Sequence, residues 1–458
     1  MNYSTSFLRK KGDPTEISFC ILYNLLITGA IMTILGRILI FAGVILGIMG
    51  GLYLDDAWAQ EDTRAGRLKQ QRLEKAEKLE EYQPNAAENS FLFIQERKIF
   101  EKFADGFKGF HPILGGMSTG SGFAAGVLWA PLKDEDEFHV SIAASGSLKA
   151  YQNYNTSFGY ERGPFMTYTF ARYRNYPQEA FYGLGMDSTL EDETNYRLED
   201  TIAGGLAGIK PHEYLTFTVY YAYLHTHIGS GTGDDPSIED IFDEEDLPGL
   251  ATQPDYNILA FRASLDTRNV YLSKDYGSRY APTFAALGKR TANPNRGTLI
   301  WFSAERYLDH DKGLFDFNRY ELEFQQYFPF NHGHHVLALR HYTSINTAGS
   351  GAEVPFFMMR SLGGKNTLRG YHEFRFTDRN GLLFNAEYRW QAWIGLDMAL
   401  FFDAGKMFEH ARDWDLNDLE VSYGIGWRFN TYKSVLFRTD IAHSKEGTRF
   451  FFDFGHVF

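Results

Sequence analysis

The feature that most constrains how this chain can fold is an alternation of side-chain character with a period of two residues. Residues 448–458 place phenylalanine at alternate positions, with charged residues and glycine among the positions between them. Residues 421–429, 382–390 and 318–328 repeat this plan with other aromatic and aliphatic residues. Because successive side chains of a β-strand point to opposite faces, each segment predicts a strand with one aromatic face and one polar face.

This pattern fits two all-β architectures, which differ in what covers the apolar face. A soluble sandwich buries that face, whereas a transmembrane barrel turns it to lipid and its polar face to the lumen. Aromatic residues make up 16% of the chain, and the polar faces carry charge and glycine, which favours the barrel. The mean hydropathy of −0.33 argues against a polytopic helical membrane protein. We therefore predict an all-β fold, a transmembrane antiparallel β-barrel, in which the sheet closes because lipid offers no hydrogen bonds to a free edge.

The alternation predicts about sixteen strands, with the first four uncertain in number, over roughly 22 residues per strand including loops. Two long interruptions separate them, an acidic stretch at 228–253 and a stretch at 346–371. The predicted strands lie near residues 110–118, 119–131, 136–148, 150–161, 165–176, 194–209, 213–227, 256–271, 297–308, 316–328, 334–345, 382–391, 396–407, 419–429, 434–443 and 448–458.

The N-terminal residues predict the compartment. Residues 1–59 are interpreted as a signal sequence whose true start can be Met32, since Arg37 precedes an apolar core and Ala57-Trp58-Ala59 fits a cleavage site. An uncleaved transmembrane anchor is the alternative. A signal sequence followed by amphipathic strands predicts the bacterial outer membrane, with its lipids as partners.

The rest of the chain divides into two predicted parts. Residues 60–106 predict a polar periplasmic segment that is partly helical, because Glu and Lys recur at helical spacing up to Pro84. Residues 107–458 predict the barrel.

Composition excludes some functions. The formal charge of −13 disfavours nucleic-acid binding, which requires a basic surface. The one cysteine, Cys20, lies in the predicted signal sequence, so the mature barrel has no thiol chemistry.

An enzyme is not predicted, and neither a cofactor nor a metal is. His225 and His227 share a strand face, and the turn at 331–335 contains three histidines. No serine or acidic residue lies at a spacing from them that would indicate a catalytic or metal-binding site. The acidic run 234–246 lacks the spacing and glycine of a calcium loop.

The stretch 362–371, LGGKNTLRGY, carries a resemblance to a known family. Its residues Leu368, Arg369, Gly370 and Tyr371 resemble the [VI]RG[FY] motif of the sixth loop in the BamA/TamA/FhaC-type outer-membrane β-barrel superfamily, also called the bacterial surface antigen family. Here leucine replaces Val or Ile. As in that family, five predicted strands follow the motif and the chain then ends.

Other segments extend the resemblance over residues 107–458. Phe402-Asp403-Ala404-Gly405 is similar to a family signature, and Glu387 lies where the family has an inward acidic residue. Residues 266–268 resemble a recurrent D-x-R, and residues 176–185 resemble members that are barrel-only or fused to patatin. The terminal Phe458 is similar to the assembly signal of many such barrels.

The resemblance implies a mechanism as well as a fold. It implies that the sixth loop folds into the lumen, where Arg369 pairs with Glu387 and Asp403. It also implies a role in inserting or translocating a protein or lipid substrate through a weak seam between the first and last strands. The segment before residue 107 is too short for a POTRA domain, so we expect a barrel-only member, and a separate periplasmic partner is conceivable. The alternative is a passive channel or structural barrel.

Overall fold

The computed structural model describes residues 107–115, 117–118, 120–132, 136–268, 272–274, 289–291, 294–310, 313–393, 396–430 and 435–453. Sixteen strands in these ranges form one antiparallel sheet in chain order, each hydrogen-bonded to the next along the chain. The predicted all-β barrel of 16 strands is confirmed. The barrel strands are β1 Phe110–Gly115, β2 Ala124–Trp129, β3 Phe138–Ser147, β4 Gln152–Arg162, β5 Phe165–Phe181, β6 Thr194–His212, β7 Leu215–Ser230, β8 Tyr256–Asp266, β11 Gly297–Asp309, β12 Phe317–Phe330, β13 His335–Ala348, β16 Asn380–Trp393, β17 Leu396–Phe408, β18 Glu420–Asn430, β19 Val435–Ser444 and β20 Gly447–Asp453.

Four short strands form two hairpins outside the barrel sheet. One lies between β8 and β11, and the other lies between β13 and β16. Five single turns of 3-10 helix occur in loops of the described ranges, and no helix there is long and apolar enough to cross a membrane. The short strands are β9 Leu272–Lys274, β10 Lys289–Thr291, β14 Arg360–Leu362 and β15 Phe376–Asp378, and the 3-10 turns are Leu190–Asp192, Ile238–Asp240, Asn331–Gly333, Phe356–Met358 and Ala411–Asp413.

Burial follows the predicted alternation. On β17, Phe402 is 48% exposed while Asp403 next to it is fully buried. On β20, Phe450 and Phe452 are exposed and Asp453 is buried. The exposed aromatic side chains therefore form the lipid-facing surface of the barrel, and the buried charged groups face its interior.

The strands differ in length around the barrel. β5 and β6 have 17 and 19 residues, more than the ~10 needed to cross a bilayer at a tilt. β1 and β2 have 6 residues each, so the predictions of 110–118 and 119–131 were too long. Glycines at 120 and 122 adopt positive φ, which ends the extended backbone between these two strands.

The long loops pack together at one end of the barrel. Ile238 and Leu247, from the loop between β7 and β8, are buried against Phe181 of β5 and Phe356 from the loop between β13 and β16. Turns of two residues join β4 to β5 and β6 to β7 at the other end. Since outer-membrane barrels have short periplasmic turns and longer external loops, the packed loops mark the extracellular end.

Some predictions fall outside the described residues. These are the signal sequence over 1–59, the polar and partly helical segment over 60–106, and the assembly signal at Phe458. They stay predictions.

Candidate functional site: the sixth loop inside the barrel

The loop between β13 and β16 packs against the inner wall of the barrel. Its short hairpin, β14 with β15, pairs Arg360 with Asp378 through Leu362 with Phe376. Leu368 and Tyr371 are fully buried in a cluster with Leu362, Phe376, Leu383 and Met407. Apolar burial therefore fixes the loop on the wall formed by β16 and β17.

Arg369 lies at the centre of this contact and is fully buried. Its Nε and Nη2 atoms donate to the two carboxylate oxygens of Asp403, each at 2.7 Å. Its Nη1 donates to Glu387 Oε1 at 2.5 Å, and its backbone N–H donates to Asp403 Oδ2 at 3.2 Å. The guanidinium carbon also lies 3.6 Å from the centre of the Phe401 ring. The planar guanidinium group of arginine can donate to both carboxylates at once in this way, whereas the ammonium group of lysine cannot.

The acidic partners of Arg369 belong to a larger network of buried charges. Glu387 Oε2 accepts a hydrogen bond from Arg389 at 2.7 Å, and Glu387 Oε1 lies 3.2 Å from Arg428. Arg428 in turn donates to Asp440 at 2.6 Å. Each charged group of this network lies within ion-pair distance of an opposite charge, which is the condition for tolerating charges away from water.

Gly370 and Tyr371 complete the motif. Gly370 has a φ of 93°, and a Cβ placed on it would lie 3.1 Å from the Ser444 Cβ. Ser444 Oγ donates to the Gly370 carbonyl at 2.8 Å. The Tyr371 hydroxyl donates to Glu420 at 2.7 Å. These contacts attach the loop to β18 and β19 as well as to β16 and β17.

Two further groups of contacts attach the loop to the last strands. Lys365 lies 3.0 Å from Asp453 on β20, and Asn366 accepts a hydrogen bond from Arg438 at 2.9 Å. Arg375 pairs with Glu446, in the turn before β20, at 2.7 Å. The loop thus contacts every strand from β16 to β20.

The structure brings Leu368, Arg369, Gly370, Tyr371, Glu387 and Asp403 together on the inner wall of the barrel. Sequence analysis missed the loop contacts of Arg438, Asp440 and Asp453, although they share the inward parity of their strands. Assigning alternate residues of 435–444 to the inner and outer faces would have identified Arg438 and Asp440 as inward-facing. It would not have found that Lys365 reaches Asp453, because a loop conformation cannot be read from a strand period.

The other candidate groups lie elsewhere. Asp266 and Arg268 form an ion pair at 2.8 Å. His334, in the turn after β12, contacts Gln391, and His335, the first residue of β13, contacts Tyr388. In the part of the chain that the structure describes, no group of three or more His, Cys, Asp or Glu residues is placed to hold a metal ion.

A sixteen-stranded antiparallel barrel with a lipid-facing aromatic surface and a loop held on its inner wall defines the class: an outer-membrane β-barrel protein. The model of the Omp85 superfamily domain matches residues 139–458. The chain belongs to the Omp85 superfamily, and its location is the bacterial outer membrane.

Solved structures match this chain at low sequence identity. BamA from Haemophilus ducreyi lacking POTRA domains 1-3 matches with a TM-score of 0.53 and 14% identity, over 76% of this chain and 70% of that chain. CdiB from Acinetobacter baumannii and CdiB from Escherichia coli each match with a TM-score of 0.43 and 10% identity, over 73% of this chain and 57% of theirs. No curated protein matches this chain.

Proposed function

We propose that this barrel assists the insertion or translocation of a protein or lipid substrate at the outer membrane, with the sixth loop fixing the position of the last five strands. The observation that carries the proposal is the buried Arg369 network, which links the loop to Glu387 and Asp403. A loop that only covered a pore would need no buried charges, since buried ion pairs add little net stability but define one geometry.

The strands at the two ends of the sheet support a seam. In the described residues the sheet order begins at β1 and ends at β20, with β1 paired to β2 and β20 paired to β19. β1 and β2 have 6 residues each and β20 has 7 described residues, against 17 in β5. Short ladders open more readily than long ones, and an unpaired strand edge can pair with a substrate strand.

The sixth loop connects to the last strand of this seam. Lys365 of the loop contacts Asp453 of β20. Arg438 of β19 contacts the same carboxylate and also donates to Asn366 of the loop. We propose that the loop holds β20 in position while β1 moves away. The Arg369 network keeps the rest of the wall from β16 to β20 rigid in this proposal.

A quantitative proteome of the outer membrane and the secreted fraction tests the proposal. The strain lacking this gene is compared with strains that express the native protein, R369K, or the control R412K. Arg412 is a suitable control because its side chain is 79% exposed and its contact with Asp413 is 3.7 Å long. We expect a defined set of proteins or surface lipids to fall in the deletion strain, and we expect R412K but not R369K to restore it.

An unchanged proteome and unchanged surface lipids in the deletion strain would contradict the proposal. The passive channel would then be preferred, and a stable conductance in planar bilayers would support it. No enzymatic activity is proposed.

A further inference from the structure

The outer face of β7 changes from apolar to polar towards the extracellular end. Val219, Tyr221, Tyr223, His225 and His227 follow one another on this exposed face. From Leu215 to His225 the strand rises about 33 Å at ~3.3 Å per residue, or roughly 25 Å along the membrane normal at a tilt of ~40°. The apolar band of such barrels is about 25 Å tall, so His225 lies at the headgroup level of the outer leaflet.

One carboxylate orients His225. The Tyr223 hydroxyl donates to Asp255 Oδ2, and His225 Nδ1 lies 2.6 Å from Asp255 Oδ1. Partial burial raises the pKa of Asp255, but the hydrogen bonds from Tyr223 and His225 outweigh it and lower the pKa overall. Asp255 is therefore an ionised acceptor, and His225 donates from Nδ1. The Nε2 edge of His225 consequently points away from Asp255.

A second imidazole is oriented by an amide. The Tyr221 hydroxyl donates to Asn257 Oδ1 at 2.5 Å, which fixes the Asn257 amide so that Nδ2 faces His310 Nδ1 at 3.2 Å. Because the amide nitrogen can only donate, His310 Nδ1 accepts and the ring proton is on Nε2. The His310 ring also meets the Tyr223 ring edge-on at 6.4 Å.

We propose that these residues bind the phosphorylated sugar headgroup of an outer-leaflet glycolipid. The outer-rim cluster comprises Tyr221, Tyr223, His225, Asp255, Asn257 and His310. His310 Nε2–H is a donor for a phosphate oxygen, and His225 Nε2 is an acceptor for a hydroxyl group of the sugar. The exposed tyrosine rings offer flat faces to a sugar ring.

The position of the cluster supports a headgroup rather than a substrate in transit. The cluster is on the lipid-facing surface over β7 and β8, whereas the Arg369 network is inside the barrel. Polar groups on a lipid-facing surface are costly unless they meet polar partners, and headgroups supply such partners at this level. The inference is therefore independent of the proposed function.

Titration of the detergent-solubilised full chain with lipid A tests the inference. The variants are the native protein, the double variant H225Q/H310Q and the control H335Q. His335 is matched because it also lies on the outer surface and contacts a tyrosine, Tyr388 at 2.7 Å, but at the periplasmic end. We expect H225Q/H310Q to bind lipid A about tenfold more weakly, which corresponds to about 1.4 kcal/mol, and H335Q to bind like the native protein.

Dephosphorylated lipid A provides the second arm. We expect the native protein to bind it about as weakly as the double variant binds lipid A. Equal binding of both lipids by the native protein would overturn phosphate recognition, and native-like binding by H225Q/H310Q would overturn the site. If the double variant does not fold, N257L replaces it, because this change releases His310 while both imidazoles remain.

Discussion

The inner wall of the barrel has two regions, one held mainly by buried ion pairs and the other mainly by apolar packing. From β16 to β20 the wall carries buried charges, among them Glu387, Arg428 and Asp440, which pair with one another and with the sixth loop. From β5 to β8 most buried inner side chains, such as Phe170 and Leu206, join an apolar cluster, which lies beside the ion pairs of Asp200 on β6 and Arg262 on β8. The cluster also takes in residues of β11, β12 and the loops, and its buried members are Met166, Tyr168, Phe170, Ile202, Leu206, Tyr220, Ala222, Leu224, Tyr256, Ile258, Ala260, Tyr307, Phe315, Phe317, Val354 and Met359.

Strands with the same alternation of side-chain character can therefore enclose two kinds of interior. Apolar packing is non-directional, so the β5–β8 wall contributes stability, and its contacts with Val354 and Met359 of the sixth loop do not by themselves define one geometry. Forked ion pairs are directional, so the β16–β20 wall holds the loop in one position. We therefore expect damage to the charged wall to release residues 362–371 of the loop, and damage to the apolar wall to lower stability while these residues stay in place.

The largest effect is expected for R369A. This change leaves Asp403 buried without Arg369 and removes one of the three arginines that pair with Glu387, and removing one partner of a buried pair costs about 3–5 kcal/mol. Urea unfolding in lipid vesicles, followed by tryptophan fluorescence, measures the stability. Limited proteolysis measures loop release, with cleavage expected in residues 349–379. R412A should leave both measurements unchanged, and a protected loop in folded R369A would refute the directional role of the charged wall.

The next effect is expected for L224A in the apolar wall. Leu224 is 6% exposed, and loss of its side chain should cost about 2–4 kcal/mol through lost burial and a cavity. The same unfolding assay applies, and residues 362–371, which contact β16 to β20, should stay protected from protease. The outward L259A is the control, since Leu259 is 58% exposed and lipid chains can fill the space it leaves. Loop cleavage in L224A at native-like stability would mean that the apolar region holds the loop in place as the charged region does.

The sequence predicted the barrel better than its interior. The strand period and the aromatic outer face gave 16 strands because lipid imposes the same constraint on every strand. The same rule predicted a polar lumen, and the wall from β5 to β8 is only partly polar, since Phe170 and Leu206 face inward there along with Asp200 and Arg262. The alternation assigns a face to each residue, but the neighbours inside a barrel come from distant strands and loops. For the same reason the contact of Lys365 with Asp453 could not be predicted.

A smaller effect is expected for G370A. The φ of 93° disfavours a side chain by about 1–2 kcal/mol, and the new Cβ would crowd Ser444 at 3.1 Å. The loss of stability should be accompanied by faster cleavage of the sixth loop, because the strain lies in the loop contact itself. G349A is the matched control in the same loop, since Gly349 has open space around its Cβ position. Equal effects of the two substitutions would mean that Gly370 is not a close contact.

The smallest effect is expected for Y371F, which separates hydrogen bonding from burial in the charged region. The variant keeps the buried ring but removes the donor to Glu420, so unfolding should become easier by about 1 kcal/mol. Glu420 retains its partner Lys445, which limits the loss. Y423F is the control, because Tyr423 is on the outer surface at 56% exposure. If Y371F were as destabilised as R369A, the loop would depend on its hydrogen bond to β18 as much as on the buried ion pairs. The charged wall would then act through the sum of its contacts rather than through the arginine fork.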